Sequence, residues 1–500
     1  MTLKDQSARD RIRNDLDTTL IVEAAAGTGK TTELVNRIVA VLASGRTMVD
    51  RIVAVTFTDK AAGELKLRLR EELENARTAA GDDEIRRGNL EQALAHLEEA
   101  RAATLHSFCG DLLRERPVEA GIDPQFEQLD ETTSQQHYAS AFRTWIVGTL
   151  ENPPEGVRRS LRRHSRDDEP MARLEKAGWT LASWRDFKAP WSRPSFDRKD
   201  EIDRLVTNLH RFADLTRKAG STEDVVYLQT RECRDLSDYI KTAEKNQSRD
   251  YDGLEARLIS LGSSWDFKIK KKGRGNYGVG VSRDQVIAAH DVLVGSLQQF
   301  SRTADADLAA LLATELREAI AQYEALKERG GKLDFFDLLL RARDLLRSNE
   351  TVRRDMQQRF THIFVDEFQD TEPLQAEVLM LLSSSDPAIS DWRKVQVVSG
   401  KLFIVGDPKQ AIYRFRRADV GLYYDIRDRL IESGAVEVQL TTSFRSDPHI
   451  QNFVNAAFAP KMDGIGKPFR PTMFRCRRNG AISPISHQWS PSVSLNLTQR

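Results

Sequence analysis

The sequence predicts an α/β fold: a parallel sheet flanked by helices and interrupted by a large, mainly helical insertion. Three observations carry this. Short apolar runs such as LIV at Leu20–Val22, IFV at Ile363–Val365 and Leu402–Val405 each end in small, acidic or glycine residues. Such runs read as strands buried on both faces, which is how parallel strands look in sequence. Helical patterns follow them, as after Lys30, where Leu34, Val35, Ile38, Val41 and Leu42 share one face. Finally, residues 118–332 are rich in Arg, Glu, Leu and Ala at helical spacing, without strand-like alternation.

The first element is LIVEAAAGTGKTTELVNRIVAVL, a strand, a small-residue loop over Ala24–Gly29 and a helix from Lys30. This is the context a phosphate-binding loop requires, with backbone N–H groups of the loop and helix start cradling phosphates. Ala24, Ala25, Ala26, Gly27, Thr28, Gly29, Lys30 and Thr31 are the candidate ATP-binding residues, Lys30 reaching the β- and γ-phosphates and the Thr31 hydroxyl helping to hold magnesium. The strict pattern has Gly where this chain has Ala24. A small-residue turn with a fortuitous Gly-Lys-Thr is the plain alternative.

The strand ending in Asp366-Glu367 argues against that alternative. Two adjacent carboxylates closing an apolar run are costly to bury unless something positive faces them. In a nucleotide site one carboxylate supports the metal and the next polarises the attacking water. Asp366 is therefore assigned to magnesium and Glu367 to general base.

KLFIVGDPKQAIYRFRRADV repeats the strand-and-turn design. Gln410 sits where an amide can sense the γ-phosphate or its water. Tyr413, Phe415 and Arg416 follow, with Arg414 and Arg417 beside them. Aromatic and basic residues in alternation fit a platform on which single-stranded bases stack. A fourth strand, Val436–Leu440, runs into TTSFRSDPHI, where Arg445 is a candidate γ-phosphate contact or else an ordinary surface arginine.

Bulk composition narrows the classes. A chain of 500 residues suits roughly three domains of about 150 residues. It is 40% hydrophobic and 30% charged, with 75 Lys+Arg against 75 Asp+Glu. That balance argues against a simple nucleic-acid coat but not against a local basic channel. The three cysteines, Cys109, Cys233 and Cys476, are too scattered for a disulfide framework or metal site and suit a reducing, cytoplasmic setting. No apolar run approaches the roughly 18 residues of a membrane span, so no membrane partner is expected. No internal repeat is evident.

In order along the chain, AAAGTGKT, VTFTDKAAGELKLRLRE, ATLHSFCGDLLRE, LDFFDLLLRARDLL, FVDEFQDT, IVGDPKQAIYRFRRAD and LTTSFRS resemble the motifs of superfamily I helicases of the UvrD/Rep type. DEFQDT, DPKQAIY and LHSFC are similar to the RecB/AddA branch in particular. The resemblance implies a RecA-like P-loop NTPase core, split over 1–117 and 333–445, with 118–332 a DNA-contacting accessory insertion. It implies ATP and Mg2+ as cofactors, single-stranded and tailed duplex DNA as partner, 3′ to 5′ movement, and a place in recombination and repair. A RecC/AddB-like or nuclease partner subunit belongs to the same expectation. Gln6 matches the adenine contact. Phe57, Thr58, His106, Tyr413, Phe415 and Arg416 match DNA contacts, and Arg445 the γ-phosphate arginine. Arg417 departs from the family, which has Gly there, and so bears on the local turn.

Within the insertion, tryptophans 145, 179, 184, 191 and 265 are expected to supply the core. DFKIKKKGRGNYG, residues 266–278, carries five Lys or Arg that suit a phosphate backbone or a solvated loop. The stretch EELENARTAAGDDEIRRGNLEQALAHLEEA reads as a surface helical hairpin. From Pro471 onward there is no Asp, Glu or Lys, and residues 446–500 read as the start of a truncated second core with a disordered tail. On that reading these 500 residues bind ATP and single-stranded DNA with little turnover, which makes a catalytically incomplete regulatory or split protein the alternative function. A P-loop kinase or transporter ATPase is disfavoured by DEFQDT and DPKQAIY together.

Overall fold

The computed structural model describes residues 3–462 apart from 164–168, 188, 246, 266, 271–272 and 274, together with 477–478. The chain divides into two compact units, one of Met1–Gln125 with Asp337–Arg500 and one of Phe126–Phe336.

The strands in chain order are β1 (Leu20–Ala24), β2 (Ile52–Thr56), β3 (Arg101–Thr104), β4 (Glu127–Gln128), β5 (Lys332–Leu333), β6 (His362–Val365), β7 (Leu402–Gly406), β8 (Val436–Leu440) and β9 (Thr442–Ser443). Six of them form one sheet in the order β3-β2-β6-β7-β1-β8, and its neighbouring strands run parallel. β1 lies inside it, Val22 opposite Val405 on one side and Val438 on the other. Because β1, β2 and β7 are covered on both faces, every residue in them is buried, which is why they read as near-continuous apolar runs, interrupted only by Glu23 in β1 and the closing Thr56 of β2.

Helices α1 (Gln6–Asn14), α2 (Lys30–Ala43), α3 (Asp59–Ala79), α4 (Glu84–Ala95) and α5 (Leu105–Glu115) belong to this unit. α2 buries Leu34, Val35, Ile38, Val41 and Leu42 against the sheet, the face expected from their spacing. Thr58 caps α3 by accepting from the Ala61 N–H at 3.1 Å, and Thr104 caps α5 through the Ser107 N–H at 3.3 Å. The predicted hairpin is α3 with α4, whose Leu65, Leu69, Leu73, Leu90 and Ala93 join the core while their charged faces stay outside.

Among its described residues the second unit is built of helices, with the short parallel pair β4 and β5 and an isolated antiparallel bridge between Gly278 and Val281. One core gathers Tyr138, Phe142, Trp145, Leu316 and Tyr323, another Leu205, Leu209, Phe212, Phe267 and Leu297. The tryptophan expectation is corrected here. Trp145 is buried and Trp179 packs at the core edge, but Trp184, Trp191 and Trp265 are 47%, 47% and 61% exposed. Those three stand in segments outside helices, so no apolar stripe turns them inward. Of the basic loop, Asp266, Lys271, Lys272 and Arg274 lie outside the described residues, whereas Lys268 and Lys270 sit over the Trp265 ring. The expectation for 446–500 meets a helix at Pro448–Met462 and the pairing of β9 with 477–478; the rest of it lies outside the described residues.

Candidate active site

In a parallel sheet the strands' C-terminal ends lie on one edge, where ligands are taken. Here that edge carries the ends of β1, β6, β7 and β2. Ala24 closes β1 opposite Leu440, within the ladder, so the alanine that replaces the usual glycine occupies ordinary strand backbone. The bends fall later, at Gly27 (φ 74°) and Gly29 (φ 86°). A Cβ on Gly27 would lie 2.4 Å from the Arg445 Cβ, so only glycine fits beneath that arginine. The loop is tied down by Thr28 Oγ1 donating to the Ala25 carbonyl (2.8 Å) and by the Phe444 N–H donating to the Gly27 carbonyl (2.8 Å). Ser443 Oγ donates to the Ala26 carbonyl at 3.2 Å. Arg445 is therefore exposed directly beside the loop.

Lys30 and Thr31, opening α2, meet the acids closing β6. Lys30 Nζ is 2.7 Å from Glu367 Oε2, and Thr31 Oγ1 donates to Asp366 Oδ2 at 3.4 Å. Burial and the neighbouring Glu367 charge push the Asp366 carboxyl up to about 6, against the pull of Lys30. Glu367 has a left-handed backbone (φ 51°), uncommon away from glycine, and its N–H is held by Asp366 Oδ1 at 3.0 Å. Two acids, one lysine, one hydroxyl and a glycine-bent helix start form a donor set suited to a magnesium-bound polyphosphate.

At the exit of β7, Gln410 Nε2 donates to Asp407 Oδ2 at 2.7 Å. Tyr413 stands beside Phe57 with ring centroids 4.4 Å apart, and Phe415 continues the row at 5.7 Å from Tyr413. The row is joined from the ends of β2 and β7, which flank β6. Phe415 is largely exposed, and the Arg416 guanidinium lies 6.0 Å from the Tyr413 ring. His106, on α5, is pushed down to about 4 by burial and by the Arg416 charge. Thr58 is spent as a helix cap. Arg417 keeps the left-handed turn (φ 69°) that a glycine would adopt freely, with its guanidinium 3.8 Å from Glu372.

Gln6 stands apart from this cluster's hydrogen bonds, donating to Asp10 on the exposed side of α1. The residues of α1 that reach the loop are others. Arg9 binds Glu33 at 3.0 Å, Asp5 at 3.1 Å and the Thr28 carbonyl at 2.9 Å, while Asp5 accepts from the N–H groups of Thr441 and Thr442. This buried cluster fastens α1 to the loop and to β9. Sequence reasoning missed it; the Asp-to-Arg spacing of four residues was its only local trace.

Glu23, last but one in β1, was missed as well. Burial pushes its carboxyl up to about 7, with Lys409 at 3.4 Å opposing. The folded state thus holds a proton that the unfolded chain releases near pH 4.5, and stability from this group falls as pH rises from there through about 7. Glu23→Gln is expected to flatten that fall, read as the difference in melting temperature between variant and wild type from pH 5 to pH 8. Parallel curves would refute it.

The sheet and its loop are those of a P-loop nucleotide-binding core. Residues 5–430 match the UvrD/REP helicase N-terminal domain, and the chain belongs to that family. Similar curated proteins include an ATP-dependent helicase/nuclease subunit of Syntrophomonas wolfei, 29% identical over 485 residues, covering 89% of this chain and 37% of that protein. The protein of the same name from Pediococcus pentosaceus is 27% identical over 482 residues (89% and 38%), and that from Geobacillus thermodenitrificans 26% over 504 residues (90% and 39%). The chain thus spans less than two fifths of the length of these relatives. Among the described residues no helix is long and apolar enough to cross a membrane.

Proposed function

We propose that this chain carries the ATP-binding core of a DNA helicase or translocase that moves 3′ to 5′ along a single strand in recombination and repair. The observation that carries the reading is the 2.7 Å contact of Lys30 with Glu367 on the same sheet edge as the Phe57–Tyr413–Phe415 row. Lys30, the loop Ala24–Gly29 and Arg445 would hold the phosphates, with Gln6 at the adenine. Thr31 and Asp366 would hold magnesium, whose charge offsets that of the phosphates. Glu367 would take the proton of the attacking water, and Gln410 would sense that water. Phe57, Tyr413 and Phe415 would stack bases, with Arg416, Thr58 and His106 beside the strand. A RecC/AddB-like or nuclease protein is the expected partner, in line with the names of the relatives, and the cytoplasm the expected setting.

ATP hydrolysis with and without an oligothymidylate tests the proposal: stimulation by DNA supports it, and phosphoryl transfer to a small acceptor without response to DNA would overturn it. Tyr413→Ala is expected to raise the DNA concentration needed for half-stimulation by roughly 5- to 150-fold, the loss of one base stack of about 1–3 kcal/mol. An unchanged value would remove Tyr413 from the DNA path. A second reading, nucleotide and DNA binding with little turnover by these 500 residues, is favoured by the Lys30–Glu367 pair, which must open before the carboxylate can act on water.

A further inference from the structure

Gln369 is 2% exposed, and its side-chain amide touches both the acid end of β6 and the exit of β7. Its Nε2 donates to Glu367 Oε2 at 2.8 Å and to Asp370 Oδ2 at 3.2 Å, which uses both amide hydrogens. Its Oε1 accepts from the Asp407 N–H at 2.8 Å. The backbone of β7 is fitted around this amide, since a Cβ on Gly406 would lie 2.8 Å from Gln369 Oε1.

From Asp407 the contacts lead to the aromatic row. Asp407 accepts from the Lys409 N–H at 3.2 Å and from Gln410 Nε2 at 2.7 Å, shaping the turn that delivers Tyr413 onto Phe57. A base entering the row and shifting Tyr413 therefore pulls on the turn held by Asp407, whose N–H Gln369 grips.

At the other end, Glu367 Oε2 is shared between Gln369 and Lys30. Once Lys30 turns to a phosphate, Gln369 still pins Oε2 and leaves Oε1 to accept a proton. The group has to be a neutral donor. A carboxylate at 369 would face two others within hydrogen-bond distance, and a cation would hold Glu367 as a salt and weaken it as a base. We propose, resting on the function proposed above, that Gln369 is the positioning residue through which DNA on the Phe57–Tyr413–Phe415 row and nucleotide at Lys30–Glu367 sense each other.

The test is a linkage measurement that needs no turnover. Affinity for a fluorescent oligothymidylate is measured on the full chain with and without a magnesium-bound, non-hydrolysable ATP analogue. Affinity for the analogue is then measured with and without the DNA. In the wild type each ligand is expected to change the other's affinity by about 5- to 150-fold. Gln369→Ala is expected to keep both separate affinities within about threefold while the mutual effect falls below about twofold. A residue of purely structural importance would lose the separate affinities, not the coupling alone. Gln369→Met, of similar volume, guards against a variant that does not fold, and Gly406→Ala, which crowds the amide without deleting it, is expected to weaken the coupling as well. Coupling that survives in these variants, or that the wild type lacks while binding both ligands, overturns the inference. A wild type that binds neither ligand overturns the proposed function itself, so the two failures are distinct.

Discussion

Glu367→Gln is expected to lower the rate of ATP hydrolysis by about 10²- to 10⁴-fold, the usual worth of a general base, while nucleotide still binds. The substitution keeps the volume of the side chain and its place after Asp366, and removes only the ability to take a proton. It also dissolves the ion pair with Lys30, whose ammonium is then free to face phosphate. Affinity for an ATP analogue should therefore hold or rise as turnover collapses. Rapid-quench hydrolysis and equilibrium binding on the same preparation separate the two quantities. A variant that hydrolyses ATP within about threefold of wild type would move the general base elsewhere, Asp370, held with Glu367 by the Gln369 amide and pushed up to about 6, being the next candidate once Asp366 is given to the metal. If analogue binding vanished together with turnover, Glu367 would be holding the loop in shape instead of acting on water.

Arg159→Met is expected to destabilise the helical unit by about 3–5 kcal/mol, the cost of stranding buried carboxylates. Arg159 is wholly buried and binds Asp307 at 2.6 Å, Glu255 at 3.0 Å and Glu155 at 3.1 Å. Those acids come from three helices, Glu155–Arg162, Tyr251–Ser263 and Arg283–Glu315, so one guanidinium ties all three together. Arg163 and Arg198 also reach Glu255, and Arg193 reaches Asp307 at 2.7 Å, which softens the loss without supplying a charge at the centre. Arg159→Lys should recover part of the stability only, because one ammonium cannot fork to carboxylates on opposite sides. Urea unfolding of the whole chain followed by tryptophan fluorescence reports this, Trp145 being buried in the same unit. Analogue binding should be untouched below the transition. A loss of less than about 1 kcal/mol would mean that the outer arginines already satisfy both acids.

Local pattern by itself determined much of the first unit. The runs at Leu20–Ala24, Ile52–Thr56, His362–Val365 and Leu402–Gly406 are strands because a parallel sheet with both faces covered demands continuous apolar residues. The bend of the loop was legible because Gly27 and Gly29 stand where the backbone turns left-handed, a need met within a few residues. The helical character of the insertion was legible in its spacing, but the inward or outward aspect of Trp184, Trp191 and Trp265 was not, since segments between helices carry no period.

Only the tertiary structure decided which distant residues meet. Lys30 and Glu367 are 337 positions apart, and their contact follows from strand order, which brings the ends of β1 and β6 to one edge. The same order sets Phe57 against Tyr413 across the end of β6, and places Gln369 between Glu367 and Asp407. Arg9 with Asp5 and Glu33, and Arg159 with its three acids, showed in sequence only as an acid four residues before an arginine. A buried ion cluster needs charge and geometry from several segments at once, and no single segment's periodicity encodes that.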